Sequence, residues 1–131
     1  MNAVSEDVKM LVEKELESAN ERFPQFHSEH EGWAIITEEA EELREECDSI
    51  EMSMKQLWHR IRDGIPTSLQ VALVGQYAEA AACEAIQVAA MARKYLDMLE
   101  RMDEMRRYEN WRYGNGEEKE SQPIPNTGDA G

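Results

Sequence analysis

Apolar side chains recur at intervals of three and four along most of the chain, and no segment alternates with the two-residue period of a strand. The pattern predicts an all-α protein. A first helix is expected from about Glu6 to Arg22. Ser5 would be its N-cap, Glu6 and Asp7 would sit at the positive end of the dipole, and Val8, Leu11, Val12 and Leu16 would form a narrow apolar face. Pro24 ends it. Ser28 and Glu31 stand three apart, as in a capping box, and open a second helix. Its stripe reads Trp33, Ile36, Ala40, Leu43, Cys47, Ile50, the spacing of a seam packed on other helices. Met54, Leu57 and Ile61 continue the spacing, and a break near Ser49–Ser53, which would make a separate short helix, is left open by the pattern.

Asp63-Gly64-Ile65-Pro66 marks a loop, after which Thr67 or Ser68 caps a last helix reaching about Tyr108. Between Ala78 and Ala92 that helix is apolar on nearly every side, interrupted only by Glu79, Glu84 and Gln87. A helix apolar all round is one buried all round, which in so short a chain implies a second copy. The architecture expected is a helical bundle over 1–112 with a four-helix core completed by dimerisation. From 113 to 131 the chain loses all periodicity and reads as a disordered acidic tail.

Charge narrows the functional classes. The 131 residues carry 28 acids and 14 bases, a net of −14. Residues 1–54 hold 16 of the acids against 4 bases, so the acidity belongs to the N-terminal half. Such a chain lacks the basic face that nucleic acid or an anionic membrane requires, and no apolar run approaches the ~20 residues of a membrane span. The N-terminus has no basic segment followed by an apolar one. Cys47 and Cys83 do not form a disulfide framework and read as small reduced core residues, so a cytoplasmic location is expected.

The acids also suggest chemistry. Glu38, Glu39, Glu41, Glu42, Glu45 and Glu46 crowd the second helix. Glu39, Glu42 and Glu46 fall on one line beside the apolar stripe, whereas Glu41 and Glu45 fall nearer the solvated side. Taken alone, a Glu-rich helix face is ordinary surface. Glu84 changes that reading, because a carboxylate in the middle of an alanine-rich stretch needs a partner, and Gln87 lies one turn beyond it. Three carboxylates and an amide, as two i,i+3 pairs on two helices, make an oxygen-donor set for Mg²⁺, with Mn²⁺ also possible. No Glu-x-x-His pair supports a di-iron centre.

The run from His30 to Leu43 (HEGWAIITEEAEEL), together with Glu84 to Ala92 (EAIQVAAMA), resembles the MazG-like proteins. These are the all-α nucleoside triphosphate pyrophosphohydrolases, a superfamily that includes dCTP pyrophosphatases and dimeric dUTPases. The resemblance covers roughly residues 20–100. Glu38, Glu39 and Glu42 match its first motif and Glu84 the Glu of its second. Gln87 stands where the second motif has Asp, although the surrounding text resembles a branch found in bacteria and phages. The resemblance implies a Mg²⁺-dependent enzyme that cleaves a (d)NTP to a (d)NMP and pyrophosphate, as a homodimer or homotetramer. It implies Glu39, Glu42, Glu84 and Gln87 as metal ligands, with Glu38 and Glu42 as catalytic carboxylates. Candidates for holding the nucleotide are His27 (of a Phe26-His27 pair like that of dCTP-directed relatives), His30, Trp33, Arg93 and Lys94. Trp33, in the apolar seam, reads first as core, and the two bases read also as surface charge. The other reading is a catalytically weak MazG-like bundle that regulates by binding a nucleotide or a protein, and Gln87 is what motivates it.

Overall fold

The computed structural model describes residues 3–114. Three helices make it up, α1 (Ser5–Arg22), α2 (Glu29–Asp63) and α3 (Ser68–Gly114), and no strand occurs among the described residues. The protein is all-α. The break near Ser49–Ser53 that the pattern left open does not occur. No Gly or Pro lies between Glu29 and Asp63 other than Gly32, so nothing interrupts the helix there. Among the described residues the expected four helices are therefore three. Tyr113 and Gly114, assigned above to the tail, continue α3, and the remainder of the expected tail lies outside the described residues.

The helix ends follow local chemistry with two departures. Ser5 is already helical, and the Val4 carbonyl accepts from the Val8 N–H at 2.9 Å, so α1 begins with no side-chain cap. At the start of α2, Ser28 Oγ accepts from the Glu31 N–H at 3.1 Å, as the capping box requires. Its reciprocal half is displaced by one residue, because the Glu31 carboxylate takes the N–H of His27. Gly64 closes α2 in the left-handed region (φ 69°), where a Cβ is strained, and its N–H reaches the carbonyls of Arg60 and Ile61. The Thr67 carbonyl accepts from the Val71 N–H and opens α3.

The chain divides into two compact units, Met1–Leu96 and Asp97–Gly131. The described part of the second is the end of α3, where Tyr108 and Trp111 stack with centroids 6.1 Å apart and Met102, Met105 and Tyr113 are exposed. In the first unit a short turn makes α2 and α3 an antiparallel pair. Gln70 Nε2 donates to Gln56 Oε1 near the turn, and the Tyr95 hydroxyl donates to Glu29 Oε1 at the far end, both at 3.1 Å.

The seam of α2 is not the stripe expected from its apolar residues. Ile36, Leu43, Ile50 and Leu57 are half-buried, as expected. The row that alternates with them is shifted by one position. Gly32, Glu39, Glu46, Ser53 and Arg60, spaced by seven, are buried or half-buried, whereas Trp33, Ala40, Cys47, Met54 and Ile61 are exposed. Trp33 is 67% exposed. The exposed row is as apolar as the covered one is polar, and periodicity alone cannot tell the two apart. Cys83 is exposed as well, so neither cysteine is a core residue of this chain. The alanine-rich part of α3 likewise leaves Ala78, Ala82 and Ala85 uncovered.

Gly32 marks the closest approach of α2 to α3. A Cβ there would collide with the Tyr95 ring at Cδ2, and would stand 2.9 Å from Cε2 and 3.2 Å from Phe26 Cδ2. The ring has little room to yield because its hydroxyl is tied to Glu29. Gly32→Ala gains about 1 kcal/mol of helix propensity but overpacks a close contact, which costs about 1–3 kcal/mol. We expect net destabilisation of up to about 2 kcal/mol in urea unfolding followed by circular dichroism. A variant more stable than the parent would mean that the helices do not meet closely at this point.

Candidate metal centre

Glu39 and Glu42 lie one turn apart on α2, and the antiparallel register brings Glu84 of α3 level with them. One carboxylate oxygen from each lies within 4.8 Å of the other two. Glu39 and Glu84 are half-buried, and the Oε2 atom of each is buried without a hydrogen-bond partner among the described residues. Glu42 is exposed and forms the solvent side of the cluster. Burial pushes the Glu39 carboxyl above its ordinary value, and the charges of Glu42, Glu84, Glu38 and Glu15 add to the shift. Burial likewise raises Glu84, followed by the charge of Glu42, a hydrogen bond with Glu42 and the charges of Glu46 and Glu45. The Glu84 and Glu42 carboxyls can form that bond only when one of them is protonated, so with both ionised the Glu84 oxygen has no donor. The cluster therefore contains carboxylates that resist ionising together and oxygens left unsatisfied.

A divalent cation resolves both problems. Two orphaned buried oxygens, a third carboxylate open to solvent, and no Cys or His in the group form a donor set that fits Mg²⁺ or Mn²⁺. The remaining ligands would come from water or substrate. Glu38 is exposed and acts on Glu39 through its charge, so it stands at the rim. Glu46 is half-buried and acts on Glu84. The sequence reading placed Glu46 on the right line of α2 but left it out of the site.

Gln87 is half-buried and, with Glu39, lines a cleft of about 430 Å³ between the three helices. That volume lies within the range of small-molecule sites. Glu31, Ile35 and Glu39 line it at successive turns of α2, and Gln87, Met91 and Lys94 do so on α3. The run linking α1 to α2 contributes Phe26, which is buried. The sequence offered Glu31 only as part of the capping box and gave Ile35 and Met91 no role in the site. Ile35 lies one turn before Glu39 and Met91 one turn beyond Gln87, and that i,i+4 spacing was the available signal.

The predicted nucleotide-holding residues separate. His27 is exposed, and its Nδ1 lies 3.0 Å from Glu31 Oε2, so it braces the start of α2. His30, Trp33 and Trp58 are exposed and do not line the cleft, which also removes Trp33 from the core. Arg93 is exposed and pairs with Glu13 of α1 at 3.5 Å. Lys94 is the opposite of a surface charge. It is 2% exposed, lines the cleft, and holds Nζ 5.1 Å from the centroid of the Phe26 ring. Burial lowers its pKa, and the charge of Glu31 partly offsets this.

Comparison with protein-family models, curated proteins and solved structures finds no match. No helix among the described residues is long and apolar enough to cross a membrane.

The raised carboxyls fix a sign for stability against pH. Glu39 and Glu84 hold protons more tightly in the folded than in the unfolded chain. Their contribution is therefore present below about pH 4.5, the ordinary Glu value, and is lost as pH rises through the folded values. In EDTA the melting temperature should fall between pH 5 and pH 8. Mg²⁺ should restore it at pH 8 and do little at pH 5. Glu39→Gln with Glu84→Gln should flatten the EDTA slope and abolish the Mg²⁺ response. An equal Mg²⁺ response in parent and variant would place the ion elsewhere.

Proposed function

We propose that this chain is a Mg²⁺-dependent nucleotide pyrophosphohydrolase of the MazG-like kind, cleaving a (d)NTP to a (d)NMP and pyrophosphate, with Mn²⁺ able to replace Mg²⁺. The observation that carries the reading is the convergence of Glu39, Glu42 and Glu84 from two helices, with two of their oxygens buried and unpartnered. These residues would hold the cation, and Gln87, facing the adjoining cleft, is placed to add an amide oxygen. Bound there, the cation would neutralise phosphate charge and orient the triphosphate for in-line displacement. Water attacks phosphorus, the α–β anhydride bond breaks, and pyrophosphate leaves. Glu38 is the exposed carboxylate beside the cluster and accepts the proton of that water, with Glu42 the alternative. Without a cation, the acids repel a triphosphate.

The apolar row that α2 turns outward supports the second half of the proposal, a homodimer or homotetramer. Trp33, Cys47, Met54 and Ile61 form an apolar row on α2 that a further helix would cover, and α3 leaves Ala78, Ala82 and Ala85 uncovered as well. Sedimentation should show a dimer or larger. A monomer throughout the micromolar range would remove this part of the proposal.

The decisive assay is pyrophosphate release from a panel of NTPs and dNTPs with Mg²⁺. Glu39→Ala and Glu84→Ala should each reduce turnover by about 100-fold or more while the helical circular dichroism is kept, since even groups that merely orient metal ligands are worth 10–100-fold. No turnover of any nucleotide would end the enzymatic reading. Gln87 favours a second one, a bundle that binds nucleotide or protein for regulation. A large gain in turnover in Gln87→Asp would support that reading, and no gain, or a loss, would oppose it.

A further inference from the structure

The cleft contains one group that the cation-binding cluster does not use. Lys94 is an ammonium almost wholly inside the protein. No carboxylate lies within ion-pairing distance of it among the described residues; its Nζ stands 5.1 Å from the Phe26 ring centroid, and the charge of Glu31 acts on it from beyond pairing distance. A buried cation without an anion is costly unless something that enters the site satisfies it. Glu31 lines the same cleft. Its hydrogen bonds from His27 both fall on Oε2, and they hold the carboxyl below its ordinary range, so Glu31 is a charged acceptor with Oε1 uncommitted among the described residues. Ile35 and Met91 supply apolar surface beside this donor and acceptor.

We propose that Lys94 and Glu31 read the edge of a planar heterocycle seated in the cleft, Lys94 donating to a ring carbonyl or ring nitrogen and Glu31 accepting from an N–H. This rests on the pyrophosphohydrolase reading only in taking the heterocycle to be the nucleotide's base. Phosphate is the poorer occupant. Glu15, Glu31 and Glu39 line the cleft against Arg22 and Lys94, and Arg22 is already bonded to Ser18. A polyanion would meet more carboxylates than free cations, whereas a neutral ring meets one donor and one acceptor.

Spacing agrees. Lys94 is ten positions beyond Glu84, about 15 Å along the helix, and its side chain returns towards the N-terminus by roughly 5 Å. The Glu84 side chain leans the same way, so roughly 10–15 Å separates the ammonium from that carboxylate. A phosphate chain at the carboxylates and a base at Lys94 fit one molecule.

The test is calorimetric titration of the full chain with phosphate-free nucleosides in EDTA, which depends on neither metal nor turnover. At least one of uridine, cytidine, guanosine, adenosine and their deoxy forms should saturate. Lys94→Met keeps the length of the side chain and removes the charge. It should weaken that binding by about tenfold or more, while Mg²⁺ binding changes less than twofold. Arg93→Met, one residue away, should leave nucleoside binding unchanged. If Lys94→Met does not fold, NMR of the parent decides. The nucleoside should shift the Met91 methyl and Lys94 ε-methylene signals and spare the Trp33 indole.

Three results would each overturn the proposal: no nucleoside saturates, Lys94→Met binds as the parent does, or pyrophosphate binds in EDTA and is lost in Lys94→Met. Nucleoside binding without turnover would remove the enzymatic reading and leave this one standing. Turnover without nucleoside binding would do the reverse.

Discussion

Every seventh residue of α2 from Gly32 faces the interior, and none of them is apolar except by being small. Gly32, Glu39, Glu46, Ser53 and Arg60 take the positions that an ordinary helical hairpin fills with Leu or Ile. Two carboxylates are thereby forced into the seam, and antiparallel pairing places Glu84 against the first of them. The arrangement costs stability, because desolvated like charges repel and buried oxygens without donors lose their water. Among the described residues no base pairs with these carboxylates and no donor reaches their buried oxygens. The rest of the unit can be understood as what allows the cluster to persist: a close contact at Gly32 that fixes the register at one end, a side-chain pair at Gln56 and Gln70 that fixes it at the other, and an apolar row displaced to the outside.

That displacement connects the site to assembly. A helix that spends half its inward positions on polar groups has its remaining apolar residues pointing elsewhere, and on α2 they point outward at Trp33, Cys47, Met54 and Ile61. Each large apolar side chain left in water forgoes about 1.5–3 kcal/mol relative to burial. A second chain covering this face would regain stability lost at the carboxylates. The same pattern that would make room for a cation would thus also make a partner favourable.

Helix class, helix order and the turns at Pro24 and Gly64 were legible in the sequence, because proline, glycine and apolar spacing act locally. The carboxylate trio was legible too, since Glu39 and Glu42 share a face at i,i+3 and Glu84 stood out against alanines. The inward row was not. Two rows flank Ile36, Leu43, Ile50 and Leu57 as alternatives, and hydrophobicity chooses the apolar row with Trp33 and Cys47, whereas the fold covers the polar row with Gly32 and Glu39. The choice depends on where Tyr95 of α3 can fit, a contact sixty-odd residues away in the chain. Lys94 was misread for a related reason. It and Arg93 are chemically alike neighbours, yet 100° of helix rotation sends one to Glu13 on the surface and the other into the cleft.

The distribution of charge within the cleft argues for a ligand rather than for structure. If Lys94 served to neutralise the acids, it would stand among them, and its own desolvation would be offset by the pairing. Instead three acids are gathered at one level without a base, and the base sits roughly three turns beyond Glu84 with no acid in ion-pairing contact, only the charge of Glu31 acting on it from farther off. Each charge is isolated from the group that would satisfy it most cheaply. A purely structural core would gain by exchanging either end for apolar residues of the same size. The separation makes sense when the two ends meet different parts of one molecule: an anionic part that arrives with its cation, and a neutral ring that offers an acceptor to Lys94.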